Sequence, residues 1–361
     1  MKVLKYRMYG AGLSNQRMSL DMGAALSVYT KRAFVPYDFK SMEHSGRAIR
    51  GQVDRYNISD LFDIPIPMLD EQSASIPESV LSSFEFAPQR LGKHVFIDDT
   101  LQNDERFQEF LGRRDLIETD LNADYGSYDL LDFASRGNFC NVLPQFYLAE
   151  PIKRQILSTI RKIIPKSAYR NVAKAIADAL GSFNAIHVRQ GDFLNSKHPF
   201  DIKDPQSLLA NIAGLCDRDQ MLVICTDDES SPNFDLVRRH YRHCVMLESY
   251  IQESPVLKTL YEQLPFQDEA VMGVVCQLVC EHAEVFAGSL RSTFTNYIHR
   301  ARHERDMLFV NTLKRPNAVI EGGKFKVTQP DKHFSWWRTG WCMDVDPSTI
   351  TWMREWPEVF D

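Results

Sequence analysis

The chain has 361 residues, 44% of them hydrophobic and 25% charged, with a formal net charge of -6. That length gives room for about two domains with well-buried cores, and the mix excludes a disordered, collagen-like or coiled-coil chain. The mildly acidic balance argues against a general nucleic-acid coat and leaves a local basic pocket open.

In chain order, Lys2 to Tyr9 alternates, with Leu4, Tyr6 and Met8 on one side, as a strand does. Gly10-Ala-Gly12 ends it. Met18, Met22, Ala25, Leu26 and Tyr29 then recur at helical spacing, and Ala33 to Tyr37 has the pattern of a second strand. Prolines at 65, 67, 77 and 88 mark turns across residues 40–150, where Lys93 to Asp98 is the expected strand and no topology emerges. A helical segment is expected from Pro151 to Leu180, ending at Gly181. Beyond it, apolar strands are expected at Ala185 to Val188, Leu222 to Cys225, Val245 to Leu247, Val285 to Ala287 and Met307 to Val310. Helical patterns separate several of them, notably Asp235 to Tyr241, Glu269 to Cys280 and Thr293 to Arg302. Short strands alternating with helices predict an α/β fold with parallel, doubly wound sheets.

All five tryptophans (336, 337, 341, 352 and 356) fall near the C-terminus, which marks a separate segment. The expected organisation is an N-terminal domain over 1–180, a second domain over 181–330 and a Trp-rich segment over 331–361. That segment is expected to pack back across the domain junction, because five exposed large aromatics would be a liability. Seven cysteines, odd in number and irregularly spaced, fit free thiols in a reducing compartment. Met1 leads into a strand without a cationic-then-apolar leader. Ala270 to Cys280, the most apolar stretch, falls far short of the roughly 20 residues of a bilayer span. These features predict a cytoplasmic protein without a transmembrane segment, a location compatible with peripheral membrane contact.

Four motifs carry the chemistry. Gly10-Ala-Gly12-Leu-Ser-Asn15-Gln16 lies between a strand and a helix, where glycines admit a close ligand and the helix start attracts anions. It is not a full dinucleotide fingerprint, since Asn15 stands where the third glycine belongs, and a plain tight turn explains it equally well. His187-Val188-Arg189-Gln190-Gly191-Asp192 ends a strand, with His187 and Arg189 on the face opposite Ile186 and Val188. A strand-end arginine offers a planar charged fork suited to a diphosphate. The bland alternative is an Arg–Asp pair closing a turn.

Cys225-Thr226-Asp227-Asp228-Glu229 ends another strand. Its carboxylates suit a base or a sugar hydroxyl; equally, Thr226 or Ser230 suits a helix cap and the acids a helix N-terminus. In Gly288-Ser289-Leu-Arg291-Ser292-Thr293-Phe294, a loop enters a helix, and Ser292, Thr293 and free amides make either a phosphate cradle or an ordinary cap. Asp344-Val-Asp346 formally matches a metal-binding Asp-x-Asp but lies before Pro347 in the Trp-rich segment, in poor context for one. Cys276 and Cys280, four apart on an apolar helix, suit core packing better than metal.

In their order, these motifs resemble the fucosyltransferase superfamily that includes the protein O-fucosyltransferases and the α1,2- and α1,6-fucosyltransferases. The glycine-rich loop ending in Asn-Gln corresponds to Gly10 to Gln16. The hallmark His-x-Arg-x-x-Asp corresponds to His187, Arg189 and Asp192. The Thr-Asp strand end corresponds to Thr226-Asp227, and the Gly-x-x-x-Ser-Thr-Phe loop to Gly288 to Phe294. The resemblance spans residues 182–305 and, more loosely, 1–37. It implies a GT-B fold, two Rossmann-like domains facing a cleft, and an inverting fucosyltransferase that uses GDP-β-L-fucose. By the same resemblance Arg189 binds the β-phosphate, Ser292, Thr293 and Phe294 complete the phosphate site, and His187 and Asp268 serve the guanosine. Asp227 and the loop glycines Gly10 and Gly12 join the donor site, and Asn15 orients sugar or acceptor. Asp192, His198 and Asp21 are the candidates for a general base. No metal or other cofactor is implied.

Many glycan-directed members carry a second arginine after the first, and here it is Gln190. Lacking the leader and disulfides of secretory members, the chain is similar to bacterial or cytoplasmic relatives. Its acceptor is then expected to be a glycan, a lipid-linked sugar or a small molecule. The rival readings are a GT-B transferase using another nucleotide sugar, a non-catalytic nucleotide-sugar-binding protein, and a nucleotide-dependent oxidoreductase, which the incomplete fingerprint at Gly10 disfavours.

Overall fold

A strand apolar on both faces must be covered on both, so a parallel sheet of such strands needs two layers of helices. The structure, a computed structural model, describes residues 2–6, 12–36, 39–40, 55–69, 130–133, 150–191, 204–289, 292–302, 308–310, 318–321 and 324–327. The strand expected at Lys93 to Asp98 and the Trp-rich segment lie outside these. The chain divides into two compact units, the first holding the described residues up to Pro165 and the second those from Lys166 onward.

In the first unit, Val3–Tyr6 lies between Ala33–Pro36 and Leu130–Phe133, with both pairs parallel. The helix Leu13–Thr30 joins the first two strands and buries Leu20, Ala24 and Ala25. It sits so close to the sheet that a Cβ on Gly23 would meet the Phe34 ring at 2.6 Å. Arg17 fixes the helix from its other side. Its guanidinium bonds Asp21 at 3.1 Å, donates to the Ile163 carbonyl and lies 4.5 Å over the Phe62 ring.

The single helix expected over 151–180 is two, Glu150–Arg161 and Ser167–Leu180. Pro165 lacks an amide proton and disfavours helix at Ile164, and Ile164–Pro165 instead pairs antiparallel with Phe62–Asp63. The helix Ser167–Leu180 packs against Glu269–Glu281 and so falls in the second unit, ahead of the boundary expected at 181.

The second unit holds a five-stranded parallel sheet in the order Cys244–Met246, Met221–Thr226, Phe183–Val188, Phe286–Gly288, Leu308–Phe309. Alternation sends Ile186, Val188, Leu222, Ile224 and Ala287 to one face, in a cluster with Leu208, Ile212, Phe234 and Val237. On the other face Cys225 meets Cys280 of the helix Glu269–Glu281, sulfur to sulfur at 3.4 Å. Burial pushes the Cys216 thiol up to about 12 and the Cys244 thiol to about 11. Cys225 is raised as well, chiefly by its contacts with Cys276 and Cys280. The α/β class with parallel sheets is as expected. Among the described residues, no helix is long and apolar enough to cross a membrane.

Candidate functional site

From Phe183–Val188 the chain adds strands on one side, Met221–Thr226 and then Cys244–Met246. It then returns to place Phe286–Gly288 on the other side. The strand order therefore reverses at Phe183–Val188, and loops leaving the carboxyl ends on either side of such a point leave room for a ligand. Both loops were singled out in the sequence: Arg189 to Gly191 on one strand, and Ser289 to Thr293 on the other.

Side chains tie these loops together. Arg189 donates its amide to Ser289 Oγ at 2.9 Å, and Ser289 donates its own to the His187 carbonyl at 2.9 Å. On the other flank, Asp227 Oδ1 accepts the amides of Gln190 at 2.7 Å and Gly191 at 3.2 Å. Three successive amides are thus held by side chains from the two neighbouring strand ends. Arg189 itself is half-buried.

His187 is buried, stacked on Phe294 with centroids 4.5 Å apart, and its Nδ1 lies 2.9 Å from Thr295 Oγ1. Burial, and then the Arg189 charge, lower its pKa from 6.5 to about 3. The ring is therefore neutral at physiological pH and suits a planar, uncharged ligand group better than a phosphate. Thr295 reaches it because residue 288 is glycine: a Cβ there would stand 2.4 Å from Thr295 Oγ1. Ser292 precedes the helix Thr293–Ala301, whose first amides lack intrahelical partners. Thr293 and Phe294 are half-buried in its first turn.

Buried polar atoms normally find partners. Gln190 Nε2, Asp227 Oδ2, Ser292 Oγ and Asp268 Oδ2 are buried with none among the described residues. Asp227 Oδ2 and Ser292 Oγ belong to the strand ends, where a bound polar ligand would satisfy them; Gln190 Nε2 is turned inward with its side chain, toward Ser231 and Asn233. Asp268 caps the helix Glu269–Glu281, accepting the Val271 amide at 3.0 Å. Burial nonetheless raises its pKa, outweighing the amides that favour the charged form.

The other acids of the third motif bond to the backbone and side chains of nearby turns and a helix start. Asp228 closes a turn on Ser230, and Glu229 accepts the amides of Glu248 and Ser249 at the start of the helix Leu247–Glu253. Asp21, one candidate base, is bonded by Arg17 at 3.1 Å and is 1% exposed. Asp192, His198 and Gly10 lie outside the described residues. Gly12 is buried and precedes the helix Leu13–Thr30, and Asn15 stands in that helix's first turn. Val3–Tyr6 is likewise the point of strand-order reversal in its own sheet. Among the described residues, no three His, Cys, Asp or Glu side chains gather where they could hold a metal ion.

Sequence reasoning passed over Ser289, Thr295, Ser231 and Asn233. Ser289 lay inside a quoted motif, and Gly288 was the signal for Thr295, since a strand-end glycine often marks a close approach. For Ser231 and Asn233, over 40 residues from their partner Gln190, no local pattern exists.

No protein-family model matches the sequence, and no curated protein matches it. Solved structures similar to the chain include NodZ α-1,6-fucosyltransferase soaked with GDP-fucose, at 15% identity over 84% of this chain and 91% of that one, TM-score 0.46. Fucosyltransferase NodZ from Bradyrhizobium stands at 14%, 84% and 92%, TM-score 0.42. POFUT1 in complex with GDP stands at 12%, 86% and 98%, TM-score 0.49. Likeness at this level carries nothing about ligand or reaction.

Proposed function

We propose that the protein is an inverting glycosyltransferase of GT-B type. In this reading it transfers L-fucose from GDP-β-L-fucose to a hydroxyl of a glycan, lipid-linked sugar or small molecule. The observation that supports it most is the convergence, at the strand-order reversal, of the Arg189 loop with the start of the helix Thr293–Ala301 through the Arg189–Ser289 bond. A permanent cation and a helix N-terminus side by side suit a diphosphate. The identity of the donor rests on the order of the four motifs.

The acceptor oxygen attacks the anomeric carbon opposite the leaving group, the carbon–oxygen bond to the β-phosphate breaks, and GDP departs. Negative charge grows on the β-phosphate as it does so. In this reading Arg189, Ser292 and the amides of Thr293 and Phe294 stabilise it by preorganised charge and hydrogen bonds. In this reading the charge needs no divalent metal. Neutral His187 supplies a flat surface, and Asp268 Oδ2 an acceptor, for the guanosine. The acceptor's proton goes to one of the candidate bases Asp21, Asp192 and His198 or to solvent.

The test is thermal unfolding with GDP in the presence of a chelator. At 100 times Kd, GDP should add about 2.7 kcal/mol of stability. A shift with UDP or NAD and none with GDP would overturn the reading.

A further inference from the structure

We infer that Gln190 is a positioning residue that presents the Arg189 guanidinium at the carboxyl edge of the sheet. The inference rests on the reading of Arg189 as the diphosphate ligand. Gln190 is 0% exposed, although it follows the strand and its backbone belongs to the loop. Its side-chain oxygen accepts from Ser231 Oγ at 3.0 Å and from Asn233 Nδ2 at 2.7 Å. Ser231 caps the short turn Pro232–Phe234 and Asn233 lies within it, and both are buried. Successive side chains of an extended segment leave on opposite sides, so seating Gln190 inward turns Arg189 outward. The Gln190 amide on Asp227 and the Arg189 amide on Ser289 then fix the peptide between them.

The chemistry of the seat selects the residue type. As placed, Ser231 and Asn233 both donate, so the position needs an acceptor. A guanidinium has no acceptor, so an arginine at 190 would need the Ser231 hydroxyl to rotate and the Asn233 amide to turn over, and would bury its charge in a closed space. The seat therefore leaves the charge at this strand end to Arg189. A long guanidinium is effective only when its geometry is set beforehand, and a misplacement of about 1 Å can cost up to 10²-fold.

GDP titration calorimetry on the native chain, Gln190→Ala, Arg189→Ala and the double variant tests this. Gln190→Ala should weaken GDP binding by about 10-fold. Added to Arg189→Ala, it should cost less than about two-fold more, because two residues acting through one contact are not additive. A residue that merely held the fold together would add its full loss in both backgrounds. Native-like binding by Gln190→Ala, or a full further loss in the double variant, overturns the inference. Unchanged GDP binding by Arg189→Ala overturns the reading beneath it instead. Should Gln190→Ala fail to fold, Asn233→Ala, which removes one of the two donors, carries the same comparison.

Discussion

His187 is neutral because it is buried beside a cation, and that arrangement fixes a pH dependence. Its folded pKa, about 3, lies below the ordinary imidazole value of 6.5. Between those values the unfolded chain binds a proton that the folded chain excludes. The contribution is complete above pH 6.5 and is lost as pH falls toward 3, with a slope of at most about 1.4 kcal/mol per pH unit. Urea midpoints measured across this window should fall less steeply for His187→Asn than for the native chain, and equal slopes would show the imidazole to be solvated. Arg189 makes a different prediction. Arg189→Ala should lower kcat roughly 10²–10³-fold, the cost of one preorganised transition-state contact. Arg189→Lys should recover little, since a point charge does not reproduce a planar fork. With the residue half-buried at the strand end, the unfolding midpoint should barely move. A near-normal kcat, or a defect confined to stability, would restore the plain structural reading of this arginine.

Two glycines show how elements carry the site, and they fail for opposite reasons. Gly181 ends the helix Ser167–Leu180 at φ +73° and ψ -137°, and a Cβ there would meet nothing within 4 Å. Gly181→Ala should therefore cost only backbone strain, about 1–3 kcal/mol, and leave GDP affinity unchanged. Gly288 has no unusual φ, but its Cβ would overlap the Thr295 side chain that meets His187. Gly288→Ala should cost about 1–3 kcal/mol by overpacking and weaken GDP binding as well. Denaturation paired with GDP titration separates the two variants, and a loss of affinity in Gly181→Ala would break the distinction. The break at Ile164–Pro165 belongs to this scale too. Proline at 165 was legible in the sequence as a stop, yet the pairing of that dipeptide with Phe62–Asp63, about a hundred residues away, was not.

At the scale of the molecule, each of two units carries a parallel sheet with a loop of interest at its strand-order reversal. Only the second holds the residues proposed for GDP. Hydrogen exchange should show GDP protecting the strand ends around 187–191, 226–231 and 289–295. GDP-fucose should extend protection to 12–16 if Asn15 orients the sugar, whereas identical patterns for the two ligands would remove Asn15 from the donor site. The sequence by itself determined the alternation of strands and helices after residue 181, the α/β class and the two loops that matter. Burial on both faces and glycine at tight turns are local demands, and they leave local patterns. Tertiary structure alone decided the strand order, and with it the place of the reversal. It also decided which partners close the loops: Ser289 for the Arg189 amide, Asp227 for the next two, Ser231 and Asn233 for Gln190. Those contacts join residues 36 to 100 positions apart, and a hydrogen bond across such a span follows from strand order and register, which no window of sequence contains.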